Sequence, residues 1–499
     1  MGIVRKEGIY NTIIYYAGVV LGYFTMVVLL PKVLSPEQYG LVRILFPFSS
    51  MLAFFYLLGM PNVILRFFPF LKNENKGHSG ILFFAYTIAL IGVVVSTSGF
   101  FLLKGPILAI YSKKAILFVQ NYYFIFPLAI GSMLFEILNA YNRAQYKTNV
   151  AIFLNEVYIR LVIVAIATFY IFHFFNFHTF IILYVATYFS TSILMFFYTW
   201  RNKTLLLKPN KEAFKPPILK QMLNYGLFNF FGGATGMVID KIDLLFVGAY
   251  LGLADTGIYG VAILMAASLA LPAKALLQIL FPLTATAFKE NDRAKISHLY
   301  QVSCNSQLLI GSFIFMMVWV NYDSFFGMVH PAFLLAKYPF LILALGRLFD
   351  MATGINGVLI VNSKHYRMDI VFTSLLVGLT LINNSLLIPI WGMVGAATST
   401  AAALIIYNIL KYFFVWKKLN IQPYTLETVK ILISIGLIFL VSLFLPETSH
   451  FIVNIIYKTI VIGLLFLISL LYLKFTPDIY NFVVLLYDRG RGYIFRRKR

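Results

Sequence analysis

A single cysteine, Cys304, stands among 499 residues, so neither an intrachain disulfide nor a cysteine-built metal site can form. Charge is scarce too. Asp, Glu, Lys and Arg make up 12% of the chain, against about a quarter in soluble domains. Walker loops, GxGxxG, HExxH and nucleophile-elbow motifs are absent. Without a nucleotide-binding fold the chain is not an ATP-driven pump by itself. The seven histidines sit in loops or at the ends of apolar runs and form no ligand set; His173 and His178 share a loop, but without a carboxylate.

What the chain has instead is apolar surface. Hydrophobic residues make up 61%, aromatics 17%, and the mean hydropathy is +0.85. A soluble fold could not hide so much, whereas lipid tails solvate it. A spanning helix needs about 20 mostly apolar residues. Fourteen such stretches are expected, from 11–30 to 452–473. They include 222–250, 256–283, the consecutive pair 368–388 and 391–415, and the final pair 428–445 and 452–473. The first apolar run lacks a small-residue cleavage site and is read as a span, not a removable signal.

Loop charge supports this count. With the N-terminus inside, the inner segments carry Arg5, Lys6, Arg143, Lys147, Arg201, Lys289, Arg293, Lys364, Arg367, Lys417 and Lys418. The outer loops hold only Lys32, Lys104, Lys113, Lys114 and Lys337. This positive-inside bias places both termini in the cytoplasm. The net charge of +22 is therefore a membrane-surface signal and not a nucleic-acid one.

The two halves echo each other at an offset of 220: Tyr39-Gly40 with Tyr259-Gly260, and Asn142…Tyr146-Lys147 with Asn362…Tyr366-Arg367. Six spans separate equivalent points, so the halves have parallel orientation. The expected organisation is all-α: a six-helix bundle at 1–200, a basic linker at 201–221, a second six-helix bundle at 222–416, two additional helices at 417–475 and a basic tail at 476–499.

Three stretches carry a resemblance: LeuProLysValLeuSerProGluGlnTyrGly at 30–40, AspLysIleAspLeuLeuPheValGlyAlaTyrLeuGly at 240–252 running into GlyIleTyrGlyVal at 257–261, and AsnAsnSerLeuLeuIleProIleTrpGlyMetValGlyAlaAla at 383–397. Here the sequence resembles the oligosaccharide flippases of the multidrug/oligosaccharidyl-lipid/polysaccharide exporter superfamily. The resemblance covers about 8–475. It implies a pseudo-twofold bundle with two extra helices, and export of an undecaprenyl-diphosphate-linked oligosaccharide across a bacterial inner membrane, as in O-antigen and lipopolysaccharide synthesis. Lipid-linked peptidoglycan precursor flippases and cation-coupled multidrug exporters share the superfamily. The implied partners are the lipid-linked substrate, membrane lipids and polysaccharide assembly proteins. A membrane glycosyltransferase or polymerase is the alternative of another class. Its catalytic groups need a large outer loop, and every outer loop here is short and poor in Asp, Glu and His.

Ionisable residues inside spans are costly and mark function or pairing. Arg43, Arg160, Lys241, Lys274 and Arg347 are the candidates for holding a lipid diphosphate, since guanidinium and ammonium match phosphate oxygens. Glu136, Glu156, Asp240, Asp243 and Asp350 are the candidates for coupling to H⁺ or Na⁺, with Asp240 and Asp350 foremost. No other cofactor is implied. Mutual pairing is the structural alternative: Glu156 with Arg160 four residues on, and Arg347 with Asp350 three residues on, share helix faces.

Overall fold

The computed structural model describes residues 2–72, 80–202, 215–448 and 450–473, with 205, 207 and 210 between them. The expected basic tail and part of the linker at 201–221 lie outside these residues. The described residues contain helices and no strand, as a bilayer demands of a chain that must satisfy its backbone internally. Among the described residues twelve helices are long and apolar enough to cross a membrane, against fourteen expected. The protein is a multi-span membrane protein. Its compact units are residues 1–261 and 262–499, which divide beyond the expected linker.

In the first unit, α1 (Gly2–Tyr23) runs into a π-helical segment, Phe24–Leu29. The turn at Leu34 ends that run, and Ser35 opens α2 (Pro36–Leu57) with a capping box. Gln38 N–H donates to Ser35 Oγ at 3.2 Å, and Ser35 N–H donates to Gln38 Oε1 at 3.1 Å. The first resembling stretch therefore encodes a helix start. Leu58 and Gly59, at φ 44° and 78°, separate α2 from α3 (Met60–Leu71). The chain continues as α4 (Ile81–Ser112), α5 (Ile125–Ala144), a helix at Asn149–Phe153 leading through a second π-helical segment, Leu154–Tyr158, into α6 (Ile159–Ile171), and α7 (Phe177–Arg201).

α8 (Pro216–Tyr250) packs within this same unit. Phe230 stacks on Phe54 at 5.1 Å, the Arg66 guanidinium lies 4.3 Å over the Tyr225 ring, and Tyr111 donates to the Leu245 carbonyl at 2.8 Å. Gly59 allows backbone on backbone: a Cβ there would run into the Gly226 carbonyl. α8 is not among the twelve span-like helices. It carries Asn224, Asn229, Gly232 and Gly233 in its first part and Asp240, Lys241 and Asp243 in its second. α9 (Leu253–Leu269) follows, short and apolar.

The second unit contains α10 (Leu271–Lys289), α11 (Arg293–Val329), α12 (Lys337–Ala352), α13 (Asn356–Asn362), α14 (Met368–Leu419), α15 (Leu426–Leu443) and α16 (Phe451–Leu473). α14 accounts for the rest of the difference in count. At 1.5 Å per residue a straight helix of its 52 residues would be about 78 Å long, far beyond the ~30 Å apolar thickness of a bilayer. It is not straight. Gly392 adopts φ 58°, ψ −135°, three residues after Pro389. Past it the chain doubles back, so that Ser399 donates to the Thr380 carbonyl at 3.3 Å, nineteen residues away. The two spans expected at 368–388 and 391–415 are thus the arms of one helical hairpin. Its corner lies in the third resembling stretch. A core of Leu280, Tyr300, Leu359, Phe372 and Val415 ties α10, α11, α13 and α14 together. α15 is pinned to α11 by Thr428 donating to Asn305 at 2.7 Å.

Candidate functional site

The first unit gathers three of the predicted cations around two aromatic side chains. Tyr188, on α7, touches Phe46, on α2, with ring centroids 5.5 Å apart. The Lys241 ammonium, from α8, lies 5.5 Å over that same Phe46 ring, a cation–π arrangement. The guanidiniums of Arg43 and Arg160 both lie within electrostatic reach of the Tyr188 hydroxyl. Tyr184, one turn earlier, packs beside Tyr188 with the rings tilted and donates to its hydroxyl at 3.3 Å.

Each cation is held differently. Arg43 donates through Nη2 to the Gly260 carbonyl at 3.3 Å. Its Nε is buried with no acceptor, which marks a donor lacking its usual compensation. Gly260 is what gives it room, since a Cβ there would stand 2.7 Å from Nε. Tyr259, beside this glycine, donates to Asp243, 7% exposed, at 3.4 Å. The repeated Tyr-Gly pair thus has a local meaning: a buried tyrosine and a close approach.

Arg160 is the more constrained. It pairs with Glu156 at 3.0 Å, as the i,i+4 spacing suggests. It also donates to the carbonyls of Asn155 and Glu156. Those carbonyls belong to the π-helical segment, where the wider turn disturbs the regular bonding ladder. Gly18 and Gly22 of α1 face this group: a Cβ on Gly22 would stand 2.5 Å from Arg160 Nε, and one on Gly18 the same distance from Glu156 Cβ. Two glycines four residues apart thus form a smooth stripe against which the pair is seated.

Glu136, on α5, accepts from Asn139 at 3.3 Å and has Arg143 as its nearest cationic influence. It lies in the middle of α5 and does not join the Tyr188 group. The side chain of Asp240 lies outside the described residues, although its backbone is part of α8.

In the second unit, Lys274 is exposed on α10 and Arg347 is half-buried on α12. The suggested Arg347–Asp350 pair does not form. Asp350 instead accepts from Asn408 Nδ2 at 2.8 Å. Asn408 is fully buried and accepts in turn from Thr353 and Asn356, each at 3.1 Å. One helical turn along, Lys411 is buried, pairs with Asp369 at 3.0 Å and donates to the Tyr407 hydroxyl. Sequence reading missed Tyr184, Tyr188, Asn408 and Lys411. The only available signal was i,i+4 spacing (Tyr184 with Tyr188, Tyr407 with Lys411), which a chain holding 32 tyrosines obscures.

Comparison with known proteins then decides the family. Residues 29–327 match the family described as polysaccharide biosynthesis protein. The chain belongs to that family. A probable low-salt glycan biosynthesis flippase, Agl15 of Haloferax volcanii, is 24% identical over 212 residues, 42% of this chain and 44% of Agl15. The match thus spans less than half the length of that relative. An uncharacterised membrane protein of Methanocaldococcus jannaschii is 24% identical over 77% of this chain and 78% of its own. Among solved structures, the Lipid II flippase MurJ in an inward closed conformation superposes with a TM-score of 0.60 at 18% identity, covering 92% of this chain and 98% of its own. An inward-facing multidrug resistance MATE transporter of the MOP superfamily gives 0.63 at 14% identity, covering 81% and 94%. These two likenesses establish the fold. The chain is thus a member of the polysaccharide biosynthesis family with the fold of these two transporters.

Proposed function

We propose that the protein moves a polyprenyl-diphosphate-linked oligosaccharide, with undecaprenyl as the expected carrier, across a bacterial inner membrane, both termini being cytoplasmic. The observation that carries this reading is that Arg43 and Arg160, both in span-like helices, act on Tyr188, while Lys241 of α8 lies over Phe46, which touches Tyr188. Cations at such depth need a reason. Glu156 accounts for Arg160, whereas the buried Nε of Arg43 has no acceptor. A diphosphate offers oxygens to guanidinium, ammonium and phenol together. The relative Agl15, named a probable glycan biosynthesis flippase, agrees in substrate class.

Ion coupling we assign to Asp350. It is an acid on a span-like helix that accepts from the neutral amide of Asn408, so a cation can meet it without breaking an ion pair. Glu156 is already committed to Arg160.

The test uses purified full-length protein and undecaprenyl diphosphate as the probe. Arg43→Ala and Lys241→Ala each weaken binding by about tenfold or more, since one hydrogen bond to a charged group contributes ~1.5 kcal/mol or above. Surface polysaccharide falls in cells carrying either variant while the protein remains in the membrane. Unchanged binding together with unchanged export in both variants rejects the proposal.

A further inference from the structure

The second unit holds a pocket of about 630 Å³ that plays no part in the site above. Four cations line it: Lys289 at the end of α10, Arg293 at the start of α11, Lys364 in the turn after α13, and Lys418 at the end of α14. None of the four has an ion pair among the described residues. No carboxylate lines the pocket. The two acids nearest in sequence are turned elsewhere: Asp292 accepts from the Lys295 N–H at 2.9 Å, and Glu290 pairs with the Lys295 ammonium at 3.5 Å.

Local helix electrostatics explains only half of this. Lys289 and Lys418 sit in last turns, where the carbonyl end of a helix favours cations. Arg293 sits in the first turn of α11, where the same dipole disfavours a cation. Crowding four positive charges around one concavity costs repulsion unless an anion offsets it. The positive-inside bias explains why bases lie on this side of the chain. It does not explain why they surround a pocket that also presents the apolar side chains of Phe288, Ile296 and Ile421.

We propose that this pocket binds a phosphate group, as carried by an anionic phospholipid of the surrounding leaflet. Basic pockets between helices at the cytoplasmic side are the usual seat of such headgroups. The apolar half of the lining, with Phe281 and Leu283 exposed on the same helix α10, suits the lipid's glycerol and chains better than a free ion.

The test uses the full chain in neutral detergent, with dioleoyl phosphatidylglycerol, dioleoyl phosphatidylcholine and inorganic phosphate as separate probes. Binding is read by native mass spectrometry and by the shift in unfolding temperature. Wild-type protein binds phosphatidylglycerol over phosphatidylcholine, and K289Q/R293Q/K364Q/K418Q weakens that binding by about tenfold or more, since each cation near an anionic headgroup contributes ~1 kcal/mol. A control variant, K147Q/R201Q/K220Q/K417Q, removes the same charge outside the pocket and retains the binding. A shift by inorganic phosphate but not by phosphatidylglycerol, abolished in the first variant only, supports the phosphate site and assigns it a soluble ligand. Equal loss in both quadruple variants, or no loss in the first, overturns the proposal. Should the quadruple variant fail to fold, the single Arg293→Gln variant carries the test, with a several-fold loss expected and none refuting.

Discussion

Gly22→Ala isolates the seating of Arg160. A Cβ at residue 22 would stand 2.5 Å from Arg160 Nε and 3.3 Å from both Cδ and Cζ, where no real side chain can remain. The backbone of α1 at this position is ordinary helix, so alanine brings no conformational strain of its own and even a small gain in helix propensity. The cost falls on Arg160. Its guanidinium must leave the Glu156 carboxylate at 3.0 Å and the Asn155 carbonyl at 2.8 Å. Overpacking of this kind costs about 1–3 kcal/mol. The pair is about a fifth exposed, 23% and 18%, so water recovers part of what is lost, and the lower half of that range is expected. The deciding measurement is a double-mutant cycle in mixed detergent–SDS micelles, read by equilibrium unfolding. In the Arg160→Ala background the clash is gone, so Gly22→Ala becomes neutral or slightly stabilising. The coupling between the two sites is then at least ~1 kcal/mol, as for residues in direct contact. If Gly22→Ala destabilises equally whether residue 160 is Arg or Ala, the glycine serves helix packing in general, and the account of a seated ion pair is wrong.

Other outcomes can be checked alongside. Gly40→Ala abolishes stable folding, because its Cβ would run into the Leu253 carbonyl, backbone against backbone; a well-folded variant by size exclusion in detergent refutes this. Asn408→Leu leaves Asp350, Thr353 and Asn356 without a shared partner and lowers stability by about 2–4 kcal/mol, since each orphaned buried polar group costs about 1–3 kcal/mol; a loss below 1 kcal/mol in SDS titration would refute it. Lys411→Met strands Asp369, and adding Asp369→Asn restores more than half of the lost stability, because the penalty lies in the unpaired charge; failure of the second change to rescue would show that the lysine's packing, not its charge, matters.

The sequence by itself settled the helical membrane class, because apolar runs of span length and biased loop charge are one-dimensional properties that lipid reads directly. It also offered the Glu156–Arg160 pair as one alternative, since helix geometry makes i and i+4 neighbours, and the structure forms it. Arg347 and Asp350 had nearly the same spacing and did not pair, because Asn408, 58 residues on, offered Asp350 a buried partner. Only packing of two helix arms could supply that partner. The same holds for α14: a count of apolar residues sees two spans, while the backbone at Gly392 makes them one folded hairpin. The site itself was legible as a set of charges but not as a place. Phe46 and Tyr188 are ordinary members of an aromatic-rich chain until α2, α7 and α8 bring their rings together and set Lys241 over Phe46. Long-range convergence depends on which faces pack together, and the near-uniform hydrophobicity of spanning helices leaves little in the sequence to mark those faces.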